Sequence, residues 1–244
     1  MTDFPERPLP PRLDLAAGEV EVWAIPLDPP APEVERLGRL LSADEHERAG
    51  RFRFDVHRRR YIVGRGALRR LLGAYLGTEP AGLRFGYGPK GKPDLPDWPG
   101  LAFNLSNSED LALAGFCRGK EIGVDVEYLK EMDDLETIAT RFFSVPEIAD
   151  LATVPPERKK EAFFNCWTRK EAYLKAVGEG LSAPLDSFVV TLVPGEPPRM
   201  LSLEGSAERA APWFYHHFVP APTFLGALAI EGGSWQVRGS RYVG

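Results

Sequence analysis

The sequence predicts an α+β fold built from two similar α+β halves, and three recurrences predict it. Strand-like alternation of apolar and other residues opens each half, as GEVEVWAI at 18–25 and IGVDVEY at 122–128. A capping box follows each time, Ser42-Ala-Asp-Glu45 and then Ser144-Val-Pro-Glu147. In such a box the N-cap hydroxyl and the N3 carboxylate satisfy helix donors that would otherwise go unpaired. A longer helical pattern comes next in each half, over 57–76 and 160–177. Residue identity between the halves is low, so the recurrence is one of pattern order.

Residues 1–14 have acids and prolines where a signal peptide needs a basic end and an apolar run, so they read as a flexible tail with no export signal. The first half is then 15–118 and the second 119–244. After each long helix come strand-like pieces, LRFGYG and DSFVVTLV, and then apolar runs at 111–117 and 224–230. Those runs are far too short to span a bilayer and read as buried strands. The prolines at 194–198 mark a loop between strands. With 244 residues, 43% of them hydrophobic and 27% charged, the chain can bury a sizeable core as one large domain or two small ones. Cys117 and Cys166 lack metal spacing and read as buried thiols of a reducing cytoplasm.

The chemistry concentrates in two segments. In FFNCWTRKEAYLKAVGEGL at 163–181, apolar residues recur at helical spacing and Gly178 stands where a helix stops. Glu171 and Lys175 fall one turn apart at the border of the apolar arc, beside Trp167 and Leu174. The pair also fits an ordinary solvated helix face. In the strand at 121–127, Ile122, Val124 and Val126 point one way while Gly123, Asp125 and Glu127 point the other. The two acids have Cα atoms roughly 6–7 Å apart, close enough to share one ion and to repel each other without it. An ordinary strand with its polar face in water has the same pattern. Carboxylate oxygens with no nearby His/Cys cluster favour Mg²⁺ over zinc, and Mg²⁺ commonly shares itself with substrate phosphates.

GVDVE followed by WTRKEAYLKAVGEGL resembles the Sfp-type 4′-phosphopantetheinyl transferases, whose pattern is G-[IV]-D-[IV]-E and then W-[ST]-x-K-E-[AS]-x-x-K-x-x-G-x-G-L. SADEHERAGRF at 42–52, Arg60 and Gly64, GKPDL at 91–95 and FNLSNS at 103–108 extend the resemblance over about 15–230. It implies a pseudo-twofold α+β architecture with substrate in a cleft between halves, a common place for a ligand. It further implies that Asp125, Glu127 and Glu171 hold Mg²⁺ and that Lys175 adds a fixed charge on the phosphates. By the same resemblance Arg48 and Arg60 grip the 3′-phosphate of coenzyme A, while Lys92, Ser106 and Asn107 line the nucleotide site. The implied reaction moves the 4′-phosphopantetheine arm of coenzyme A to a serine of an apo acyl or peptidyl carrier protein, releasing adenosine 3′,5′-bisphosphate. Glu171, or a metal-held water, is the candidate base.

Two positions depart from that pattern: Asn107 stands where the family has His, and Glu45 where relatives often have a phosphate-binding lysine. The arginine-rich stretch 51–70 fits a solvated helix face, a nucleic-acid patch or an anion-binding wall. A formal net charge of −5 argues against the nucleic-acid patch, and the resemblance favours the anion wall. Other functions to weigh are a metal-dependent nuclease, since paired acids with a Glu and a Lys also build phosphodiesterase sites, and a carrier-binding module without catalysis. No membrane or nucleic-acid partner is expected, and one chain supplying both cleft walls suits a monomer.

Overall fold

The computed structural model describes residues 4–180 and 184–244; residues 1–3 of the expected tail, Leu181 at the end of the quoted helical motif, and Ser182 and Ala183 lie outside the described residues. In chain order the elements are β1 (Glu6–Pro8), β2 (Glu19–Pro26), α1 (Ala31–Gly38), α2 (Ala43–Gly50), α3 (Asp55–Leu76), β3 (Gly86–Tyr87), β4 (Pro93–Asp94), β5 (Leu101–Ser108) and β6 (Leu111–Arg118). There follow β7 (Ile122–Tyr128), α4 (Leu135–Phe142), α5 (Val145–Thr153), α6 (Pro156–Val177), β8 (Phe188–Val190), β9 (Met200–Leu203), α7 (Ala207–Ala210), β10 (Trp213–Phe218), β11 (Phe224–Glu231) and β12 (Gln236–Val243). The fold is α+β. Strand order is β1-β12-β2-β6-β5 in the main sheet and β10-β11-β7 in the second. Among the described residues, no helix is long and apolar enough to cross a membrane.

Alternation along the strands sorts the core. One face of the main sheet gives Trp23, Ile25, Ala112, Ala114 and Phe116 to a cluster with Leu68, Leu71 and Leu72 of α3. Its other face gives Val20, Val22, Leu111 and Leu113 to a cluster with Ile122, Val124, Val126, Leu228 and Ile230 of the second sheet. Beyond that sheet, Ala227 and Ala229 meet Phe163, Ala172 and Ala176 of α6. The layers therefore run α3, main sheet, second sheet, α6. Burying such side chains is worth about 25 cal/mol per Å² of apolar surface, the main favourable term in folding.

Both capping boxes form, and in each the carboxylate is buried and paired with a cation of the long helix that follows. Glu45 meets Arg65 and Arg69, and Glu147 meets Lys170 at 2.8 Å. Gly178 closes α6 in the left-handed region at φ 74.

Three expectations need correction. Residues 4–14 are not a loose tail: Phe4 is buried against Phe218, β1 pairs with β12, and Leu13 is in the α3 core. Prolines hid this strand, yet a sheet edge tolerates a residue with no N–H. The division at 118/119 is crossed by β12, which runs parallel to β2 inside the main sheet. LRFGYG and DSFVVTLV are strand only at 86–87 and 188–190, with a 3-10 turn at Leu185–Ser187.

Candidate active site

The carboxylates and the lysine meet where β7, α6 and β5 adjoin. A Cβ built on Gly123 would lie 2.0 Å from the Ala172 carbonyl oxygen and 2.3 Å from the Ala176 nitrogen. Only glycine lets the strand lie this close to the helix. Two residues further along, Asp125 is buried, and Lys175 Nζ donates to its Oδ1 at 2.6 Å.

The β5 edge completes the site without joining the second sheet. Asn104, Ser106 and Ser108 alternate toward β7. Asn104 Oδ1 accepts the Val124 N–H at 2.9 Å, Ser106 Oγ donates to Asp125 Oδ1 at 2.8 Å, and Ser108 Oγ donates to Glu127 Oε2 at 2.8 Å. Ser106 also accepts from Lys175 Nζ at 2.7 Å, and Ser108 from the Tyr128 N–H at 3.1 Å. Three short polar side chains thus stand in for ladder bonds at the seam and aim both acids of β7.

Charge at this seam is under-compensated. Burial, then Asp125, then Glu127 push the Glu171 carboxyl up to about 7 against the opposing pull of Lys175. Burial and Asp125 likewise raise Glu127, opposed by its bond from Ser108. Asp125 Oδ2 and Glu171 Oε1 are buried with no hydrogen-bond partner. Unpaired buried carboxylate oxygens are costly, and a divalent cation is the group that would relieve them. The all-oxygen donor set fits a hard cation such as Mg²⁺. As the side chains stand, Lys175 and the two serines hold Asp125 and Glu127, and among the described residues no three His, Cys, Asp or Glu side chains already converge at ligand spacing.

Across β5 lies a cavity of about 450 Å³ whose lining includes Arg48, His57, Arg60, Tyr61, Arg65 and Asn107. Adjacent residues of a strand face opposite ways. Asn107 therefore lines the cavity while Ser106 turns to the carboxylates. Arg48 stacks over Tyr61, 5.6 Å from the ring centroid. The Lys92 ammonium donates to the carbonyls of Ile122 and Ala176 at 3.2 and 2.9 Å and to Glu121 at 2.6 Å, strapping the 91–93 turn to β7 and the end of α6. Glu45 is 1% exposed within its capping box, so its carboxylate is an internal anchor for Arg65 and Arg69. Arg65, held in this way and stacked on Phe85, is a cavity residue that sequence reasoning missed. The period-two run Asn104, Ser106, Ser108 was the signal for the seam. No local pattern marked Arg65.

Comparison with known proteins agrees with this geometry. The model of the 4′-phosphopantetheinyl transferase superfamily matches residues 121–229. The chain is 44% identical over 234 residues to the 4′-phosphopantetheinyl transferase HetI of Nostoc sp., covering 95% of each chain. It is 34% identical over 175 residues to a 4′-phosphopantetheinyl transferase of Bacillus subtilis and 33% identical over the same length to Sfp of Bacillus subtilis strain 168, in each case covering 71% of this chain and 77% of the relative.

Proposed function

Since this chain belongs to the 4′-phosphopantetheinyl transferase superfamily, we infer that it is an enzyme that moves the 4′-phosphopantetheine arm of coenzyme A to a serine hydroxyl of an apo carrier protein. The observation that carries the reading is the seam itself: Asp125, Glu171 and Lys175 gathered beside β5, with the Arg48 and Arg60 cavity on the other face of that strand. In this reading the cavity takes the nucleotide of coenzyme A, Arg48 and Arg60 meet its 3′-phosphate, and Asn107 offers a neutral amide where a histidine would offer a charge.

Asp125, Glu127 and Glu171 are the residues that would hold Mg²⁺. Such an ion supplies charge neutralisation on pyrophosphate oxygens. Lys175, held by Asp125 and Ser106, keeps a positive charge fixed beside the same phosphates, and Ser106 serves the site by orienting both partners. Positioning and electrostatics supply most of the rate in phosphoryl transfer, so a preset cation costs no reorganisation at the moment of reaction. Glu171, on α6 one turn from Lys175, is the candidate to receive the serine proton, directly or through a water that the ion would hold. One chain supplies every residue named, which suits a monomer, and the two buried free thiols suit a reducing cytoplasm.

The test is incubation with coenzyme A, Mg²⁺ and an apo carrier protein, read as the covalent mass increment of the phosphopantetheine arm. Absence of the increment over several carriers would refute the assignment. Lys175→Met should lose at least about tenfold in kcat/KM for coenzyme A, roughly 1.4 kcal/mol of transition-state stabilisation. A loss below about twofold, typical of a surface ion pair, would return Lys175 to a structural role.

A further inference from the structure

Arg60 already holds two anions. Its Nη2 donates to Asp28 Oδ2 at 2.8 Å, its Nε lies 3.2 Å from both Asp28 oxygens, and its Nη1 donates to Glu109 Oε2 at 3.2 Å. Two carboxylates against one guanidinium leave the trio net negative. One backbone bond sets the acids side by side: the Leu27 N–H donates to the Asp110 carbonyl at 2.8 Å, docking the exit of β2 on the β5–β6 turn. Asp28 and Glu109 flank that joint.

The two acids differ from the other carboxylate beside this cavity. Glu45, which pairs with Arg65, is buried and fixed, whereas the Asp28 and Glu109 side chains are 48% and 61% exposed and free to swing into water. Glu109 lines the cavity together with Arg60. It also stands at φ 47, in the left-handed region where a turn ordinarily takes glycine. A side chain that keeps an unfavourable backbone position points to a use for the side chain.

We propose that Asp28 and Glu109 tune donor specificity as resident anions that Arg60 exchanges for the 3′-phosphate of coenzyme A, so that together they set how far this enzyme prefers coenzyme A over its 3′-dephospho form. The proposal rests on the reading of Arg60 as a 3′-phosphate contact. A phosphate reaching Arg60 must break both ion pairs and approach two like charges, and a dephospho donor does neither. The acids act through Arg60 and touch no reacting atom, so their effect falls on binding of one donor and leaves the chemical step alone.

The experiment measures KM and kcat for coenzyme A and for 3′-dephospho-coenzyme A with wild type, Asp28→Asn, Glu109→Gly, the double variant and Arg60→Ala. Glycine suits the backbone at 109, so folding is not at stake there. Exposed pairs of this kind are individually weak, and the double variant should lower KM for coenzyme A about fivefold with kcat and the dephospho donor unchanged, an effect that shrinks with added salt. Arg60→Ala should raise KM for coenzyme A and spare the dephospho donor. If Arg60→Ala separates the donors while the acid variants leave their ratio as in wild type, the exchange is refuted and the Arg60 reading stands. A rise in KM for coenzyme A in the double variant would mean that the acids hold Arg60 ready, and equal changes for both donors or a change in kcat would mean a structural role; either result overturns the proposal. If Arg60→Ala leaves the donor ratio unaltered, the Arg60 reading falls and the proposal falls with it.

Discussion

Glu171→Gln should lose transfer by at least about a thousandfold, roughly 4 kcal/mol at 1.4 kcal/mol per decade, and yet make the metal-free protein more heat-stable at pH 8. The two effects share one cause. In the folded protein burial and the neighbouring Asp125 push the Glu171 carboxyl up to about 7 from an ordinary 4.5. Between those values the folded state therefore binds more protons than the unfolded state, and stability falls as pH rises through that window. Below about pH 4.5 the carboxyl is protonated in both states and the penalty is absent. Glutamine never ionises, so the melting-temperature gap between variant and wild type should open between about pH 4.5 and 7 and close below. Added Mg²⁺ should raise the melting temperature of wild type by mass action and move the variant far less. A gap that is the same at pH 4 and pH 8 would show that the Glu171 carboxyl is not strained, and an equal Mg²⁺ response in both proteins would show that it is not a ligand.

Gly123→Ala tests the packing that builds the site. The added methyl would sit 2.0 Å from a helix carbonyl and 2.3 Å from a helix nitrogen, and neither is the tip of a flexible side chain. The strand must leave the helix. Overpacking commonly costs about 1–3 kcal/mol, and a double backbone collision belongs at the top of that range or beyond it. For a chain of this size, 3 kcal/mol lowers the melting temperature by roughly 6–12 °C. Transfer should fall as well, because Asp125 moves with β7 away from Lys175. Gly233→Ala, where a Cβ meets nothing within 4 Å, is the control. Similar melting curves for the two variants would mean that the strand and helix are not held at this distance.

What the sequence made legible follows from local physics. Alternation in β7 separated Ile122, Val124 and Val126 from Gly123, Asp125 and Glu127, and the capping boxes marked the starts of α2 and α5. Helical spacing put Glu171 and Lys175 together on α6, and the family resemblance was needed to join that helix to β7. Local pattern cannot carry contacts between distant segments. It did not reveal that β1 and β12 enter the main sheet, because their partners lie at the other end of the chain. The same blindness hid Asp28 beside Glu109 and the bond by which the Lys92 ammonium caps the end of α6. Glu45 looked like a lost phosphate ligand because burial is not visible in a one-dimensional pattern; enclosed by Arg65 and Arg69, it belongs to the scaffold.

The position of β12 has a consequence for how the molecule is made. Among the described strands it is the last to leave the ribosome, yet it is inserted between β1 and β2, which are among the first. During synthesis the β2-β6-β5 part of the sheet must wait with the edge of β2 bare, and β1 has no partner to pair with. Contacts of such sequence separation are slow to form, and a bare strand edge invites pairing with another chain. Nascent chains stalled before residue 236 should therefore be the aggregation-prone species. Supplying the 236–243 segment as a free peptide should rescue them by completing the sheet from outside.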